Sequence, residues 1–223
     1  MFSFIAQGAG FALCQNDGAL RTPKGKPFAV PSKSLAVAIV REFEEGGKDF
    51  RNMPLAQMAL TAIDVIEDRR EDVIGGILSY GDHELICQRA DGPPELAREQ
   101  EKLWQPYLEW CKTAFSAELI TGVGIAPFKQ SGPALNRLRE HLEKLDPFCL
   151  AGLSEACAIL SSLVLGLALM EGRAGPAEAL EAAEMEALWQ NKKWGEDQDF
   201  RDRYDGMRRD LDYCAKWFSF LGK

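Results

Sequence analysis

Residues 10–31 read GFALCQNDGALRTPKGKPFAVP, and their reading decides the class of fold. Phe11 and Leu13 alternate with Ala12 and Cys14, the period of two that marks a strand. Asp17-Gly18 then supplies a hairpin turn signal. Pro23, Pro27 and Pro31 follow, and each removes a backbone donor that a helix would need. The segment is therefore β structure punctuated by loops. The first fourteen residues, MFSFIAQGAGFALC, which overlap its start, lack the basic flank of a secretory signal and the arginines of a transit peptide, and Gly8 and Gly10 interrupt them. They read as a leading strand or a mature amino terminus.

Downstream the period changes. Ser32 or Ser34 can cap a helix running to about Glu45, and Gly46-Gly47 mark the loop after it. Leu55, Met58, Ala59, Ala62, Ile63 and Ile66 then recur at helical spacing. A short helix is expected over 69–79 in spite of Gly75-Gly76, and ELICQRA (84–90) reads as a strand. Leu103, Trp104, Tyr107, Leu108, Cys111, Ala114 and Phe115 form a wide apolar face that Trp110 broadens. Pro106 must kink that helix or start a fresh one. ELITGVGIAPF (118–128) reads as extended with a glycine turn. Further helices are expected over 132–145, 147–171, 176–193 and 197–220. Strands in front and helices behind predict an α+β fold, predominantly α. The expected division is a small strand-containing amino-terminal domain over 1–54 and a helical bundle over 55–223. The strands near 84–90 and 118–125 are candidate additions to the first domain.

Composition narrows the function. The chain has 223 residues, 46% of them hydrophobic and 27% charged, with a formal net charge of −8. That balance argues against nucleic-acid binding, which needs a basic footprint. The longest uncharged run, Ala156–Met170, falls short of the roughly 20 residues of a bilayer span, so it is expected to be a buried central helix with no membrane insertion. The six cysteines include no C-x-x-C pair, and His83 and His141 stand far apart, so no metal-ligand spacing exists. The cysteines fall on apolar faces, where a free thiol behaves as a small hydrophobe and suits a reducing compartment. TGVGIAP lacks the lysine and hydroxyl residue of a phosphate loop, and G-x-S-x-G is absent. No catalytic residue, metal or cofactor is therefore assigned. Glu44-Glu45, Glu67-Asp68 and Glu71-Asp72 read as solvated helix ends, and His141 as a solvated or capping residue.

One junction resists a purely structural reading: LWQNKKWGEDQDF, residues 188–200. Gly195 suits the position after a helix end, where a positive φ is wanted. Glu196, Asp197 and Asp199 fall in the first turn of the next helix, where acids are favoured. Asp197 can pair with Arg201 and Asp199 with Arg203, each at i+4. Phe200, Tyr204, Met207, Leu211, Cys214, Ala215 and Phe218 form the buried stripe of that helix. Glu196 is left without a local cation, and Trp194 stands off any regular face. An aromatic beside an unpaired acid is a candidate contact point for a partner.

The chain also resembles a known family, the assembly chaperones of the F-type ATP synthase catalytic head that bind its alpha subunit. The resemblance runs through residues 10–43, and through MPLAQMALTAIDVI, ELICQRA, REQEKLWQPYLEW, SSLVLGLAL and ALWQNKKWGED, in the family's order. Ala19 replaces the usual basic residue after Asp-Gly, and Trp104-Gln105-Pro106 replaces W-D-P. The resemblance implies a chaperone without ATPase activity, a monomer when free, that holds the alpha subunit until the beta subunit replaces it. It places the family's functional acid on Glu196, with Trp194 and Asp197 beside it. The bacterial cytoplasm is the expected compartment, and the mitochondrial matrix, as a mature chain, is the alternative. Two other readings compete: an acidic helical hydrolase and a small-molecule-binding helical module.

Overall fold

The computed structural model describes residues 1–16, 18–46, 52–124, 128–195 and 198–223. The fold is α+β and predominantly α, with ten helices among the described residues. The chain divides into two compact units. Unit 1 comprises Met1–Val73, Asp146–Gly152 and Lys216–Lys223, and unit 2 comprises Ile74–Leu145 and Leu153–Ala215.

Unit 1 is built on the stretch that decides the class. Strand β1 (Phe2–Gln7) pairs antiparallel with β2 (Gly10–Gln15), from Phe2 opposite Gln15 to Gln7 opposite Gly10. β3 (Gly18–Ala19) and β4 (Ala29–Val30) both pair with β2. The leading residues are thus a full strand of the sheet, and β2 is its centre. Asp17 of the expected turn lies outside the described residues. Helix α1 (Lys33–Glu45) is capped by Ser32, whose hydroxyl accepts from Leu35 N at 3.1 Å. It turns Leu35, Ala36 and Ile39 inward to join Leu13, Phe28 and Val30 in the core.

Helix α2 (Pro54–Thr61) runs into a π turn at Ala62–Ile66. The proline-rich loop of the opening stretch docks on that turn. Thr22 donates to the buried Asp64 at 2.6 Å, and the Lys24 amide donates to its other oxygen at 3.2 Å. Lys26 Nζ donates to the Ile63 carbonyl at 2.8 Å and pairs with Glu67 and Asp68, while Lys24 Nζ pairs with Asp68. Glu67 and Asp68 are therefore anchors for this loop as well as half-exposed helix-end acids. Within the same unit, the Trp217 indole N–H donates to the Phe148 carbonyl at 2.9 Å.

Unit 2 contains the long helix α4 (Pro94–Phe115), which buries Leu96, Gln100, Trp104, Tyr107, Leu108 and Cys111. Pro106 lies inside this one helix and does not begin a new one. Ahead of it, α3 (Arg70–Asp82) forms across both glycines. The expected strand at 84–90 is in fact a helical turn, Leu85–Cys87, followed by β5 (Gln88–Arg89). β5 pairs in parallel with β6 (Gly122–Val123), and this ladder is separate from the four-stranded sheet.

Helices α5 (Gly132–Leu142), α6 (Pro147–Leu160), α7 (Leu163–Met170), α8 (Pro176–Ala183), α9 (Met185–Trp194) and α10 (Gln198–Leu221) follow. Two helices expected to be continuous are broken. The run 147–171 divides at Ser161, which takes φ +51°, and Ser162, whose hydroxyl accepts from Leu165 N at 3.0 Å. All eight residues of α7 are buried. A Cβ at Gly166 would stand 2.6 Å from Cys157 Sγ, so only glycine permits the approach of α7 to α6 there. The run 176–193 divides at Glu184, whose φ of −97° and ψ of 13° leave the helical basin.

Candidate functional site

The α7 start carries the most perturbed carboxylate. Glu84 is only 2% exposed. Its Oε2 accepts from the amides of Leu163 and Val164, each at 3.0 Å, and its Oε1 accepts from the Ser162 hydroxyl. Burial raises its pKa to about 7, against the pull of those hydrogen bonds. A helix start leaves amides unpaired, and here a carboxylate distant in sequence takes two of them. Its hydrogen bonds go to interior backbone amides and to one interior hydroxyl. Among the described residues, no three His, Cys, Asp or Glu side chains converge on a metal-sized site.

The predicted contact residue Trp194 ends α9. It is 75% exposed, the most exposed tryptophan of the described chain. Gly195 follows with φ +94°, a value that disfavours any side chain, and its amide donates to Asn191 O at 2.9 Å. The helix end is therefore closed in its backbone while the indole is left in solvent. Lys192 and Lys193 occupy the last turn, where cations oppose the helix dipole. Lys193 Nζ stands 3.8 Å over the Trp189 ring, and Trp189 meets Trp194 edge to face at 6.1 Å. Glu196 and Asp197, the two predicted acids, lie outside the described residues, as does the expected pairing of Asp197 with Arg201.

Arg203 corrects the expected pairing with Asp199. Its guanidinium grips both oxygens of Glu184, at 2.9 and 2.6 Å, and lies over Phe200. A two-pronged contact with a carboxylate matches the guanidinium fork better than a single helix-surface contact would. The same contact holds the residue where α8 gives way to α9. The expected stripe on α10 is buried only in its second half, at Leu211, Cys214 and Phe218, while Phe200, Tyr204 and Met207 stay half-exposed.

α8 and α9 are set against α4 by groups that sequence reasoning passed over. The fully buried Gln100 donates to Glu186 at 2.6 Å and accepts from the Ala90 amide at 2.8 Å. The Trp104 indole N–H donates to the Ala182 carbonyl at 2.8 Å, and the buried Arg89 guanidinium covers its ring. Neither role has a local signature, because each partner lies across the fold. Beside Trp194, a groove of about 510 Å³ runs between α4 and α9, with Leu103, Met185, Leu188 and Trp189 as its apolar floor and Glu99, Lys102, Glu181 and Lys192 at its rim. Apolar floor, rim charges of both signs and a solvent-facing indole are the makings of a protein-contact surface.

Comparison with known proteins shows what the chain as a whole is similar to. The model of a family described as ATP12 chaperone protein matches residues 5–112. The mitochondrial protein atp12 of Schizosaccharomyces pombe is 24% identical over 205 residues, covering 85% of this chain and 70% of the yeast protein. The crystal structure of Atp12 from Paracoccus denitrificans is 28% identical and aligns with a TM-score of 0.91, over 98% of this chain and 95% of that chain. A point mutant of the same bacterial protein aligns with a TM-score of 0.92, over 98% and 94%. Likeness in sequence and in fold over nearly the whole length leads to one resemblance: the chain is similar throughout to proteins of the ATP12 chaperone family.

Proposed function

We propose that the protein is a non-enzymatic assembly chaperone of the F-type ATP synthase, and that its client is the free alpha subunit of the catalytic head. The observation that carries this reading is the likeness to the ATP12 chaperone family. An unassembled subunit of an obligate ring exposes an apolar interface and is prone to aggregate. A temporary cover must bind that interface and later give way to the beta subunit. The exposed Trp194 beside the α4–α9 groove supplies an aromatic anchor for such a contact. Glu196 and Asp197, next in the chain, are proposed to add charge to it.

The test is light scattering of the free alpha subunit as it is diluted from denaturant, with and without stoichiometric chaperone. Suppressed aggregation that is reversed by adding beta subunit is expected. Unchanged scattering, or equal protection of unrelated unfolded proteins, would overturn the reading. Glu196→Lys is expected to melt like the unsubstituted protein yet protect less, because reversing a charge at an interface can cost several kcal/mol.

A further inference from the structure

The outer face of α1 carries a second surface, wholly within unit 1. Leu35, Ala36 and Ile39 take the inner face. Lys33, Val37 and Arg41 follow one another at intervals of four on the outer face, with Ser34 and Ala38 alongside. The Ser34 hydroxyl donates to the Phe220 carbonyl at 3.3 Å, which brings the Phe220 ring to the edge of this face. The result is a groove of about 400 Å³ lined by Lys33, Ser34, Val37, Ala38, Arg41 and Phe220. Its floor is half-buried and apolar, and its ends are the exposed Lys33 and Arg41.

The charge of this groove runs against the rest of the chain. The protein carries a net charge of −8, yet no acid lines the groove. Elsewhere in unit 1, Lys24 and Lys26 are held by Asp68 and Glu67. Among the described residues neither Lys33 nor Arg41 forms an ion pair, although Glu44 and Glu45 stand three and four positions beyond Arg41. Eight residues of helix span about 12 Å, so the two cations bracket an apolar floor of about that length.

We infer that this groove docks a short acidic and apolar segment of a partner polypeptide, with one apolar side chain on Val37, Ala38 and Phe220 and a carboxylate at each end against Lys33 and Arg41. A helical segment meets the span with acids seven or eight residues apart, and an extended one with acids about four apart. The surface uses none of the residues around Trp194, so it stands or falls independently of the alpha-subunit reading.

The test is fluorescence anisotropy with two labelled helical peptides. Each has a central leucine flanked four residues away on both sides, by glutamates in one peptide and by lysines in the other. The glutamate peptide is expected to bind saturably and more weakly at high salt. K33E/R41E is expected to weaken it about tenfold or more, with an unchanged melting temperature because both residues are exposed. The milder K33Q/R41Q pair, expected to give an intermediate loss, serves if the reversal disturbs folding. Absence of binding, equal affinity for the two peptides, or affinity untouched by both variant pairs would overturn the inference. So would cosedimentation with anionic phosphatidylglycerol vesicles, or self-association abolished by K33E/R41E, in the absence of peptide binding.

Discussion

Each unit starts one of its helices with a carboxylate borrowed from a distant residue, and the two borrowed caps differ in surroundings. In unit 1, Glu42 of α1 accepts from the amides of Leu55 and Ala56 at 3.0 and 2.9 Å and so caps α2. In unit 2, Glu84 does the same for Leu163 and Val164 at the head of α7. Burial raises the pKa of both. Glu42 remains partly solvated, however, and α2 also starts with a proline, whose missing donor leaves one fewer amide to satisfy. Glu84 is sealed, and α7 is buried on every side. One hydrogen-bonding pattern is thus a local convenience in the first unit and a structural keystone in the second. The difference lies in whether water can replace the carboxylate.

The largest expected effect breaks the sealed cap. Glu84→Ala leaves two buried amides and a buried hydroxyl without their acceptor, and about 3–5 kcal/mol of stability should be lost in urea unfolding followed by circular dichroism. Leu165→Asp, which puts an unpaired carboxylate into α7, should cost a comparable several kcal/mol. If Glu84→Ala costs no more than an exposed cap, the distinction between the two units fails.

A second effect appears with pH. The Glu84 carboxyl is raised from its ordinary 4.5 to about 7 in the folded chain. The folded state therefore holds this proton more tightly than the unfolded state does. This contribution to stability is fully present below about pH 4.5 and is lost as pH rises to about 7, on the order of 3 kcal/mol over the window. Burial raises Glu42 and Glu155 in the same direction, so the comparison must be made by difference. Melting curves of Glu84→Gln against the unsubstituted protein, from pH 5 to 8, should show a flatter profile for the variant. Parallel profiles would show that the sealed carboxylate does not titrate there.

Smaller effects sharpen the contrast. Glu42→Ala should cost less, about 1–2 kcal/mol, the usual worth of a helix cap, because Glu42 itself is only half-buried. Smallest of all, Trp194→Ala should move stability by less than about 0.5 kcal/mol, because the indole is 75% exposed. The same variant should lose protection of the alpha subunit in the scattering assay. A large drop in melting temperature instead would make Trp194 a packing residue.

These contrasts also explain what could be read from the chain. The strand at residues 10–14, the Ser32 cap and the apolar faces of α2 and α4 are carried by neighbours in sequence, and they were legible; that both faces of β2 are covered, with Ala12, Leu13 and Cys14 all buried, was not. So was the glycine turn after Trp194, because a helix end followed by glycine is a local pattern. The breaks at Ser161–Ser162 and at Glu184 were not legible, because the groups that meet them, Glu84 and Arg203, lie elsewhere in the chain. Glu84 itself sits in a stretch that reads as a strand, and Asp64 in one that reads as an ordinary helical face. Nothing near either residue signals that its partner is an amide or a threonine about 80 or 40 positions away. Of the candidate site, Trp194 was legible as an aromatic with no place in a stripe. The groove beside it was not, since it exists only once α4 and α9 lie side by side.

The six free cysteines, all buried, have a practical consequence. Burial lifts the Cys111 and Cys214 thiols to about 12, so little reactive thiolate forms at neutral pH while the fold is closed. An alkylating reagent then modifies each site only when its surroundings open, and the labelling rate becomes a clock for that opening. Cys14 and Cys149 keep time for unit 1, and Cys87, Cys111, Cys157 and Cys214 for unit 2. Mass spectrometry of timed labelling would rank the openings without any engineered probe, and would reveal which unit loosens first when a client is bound.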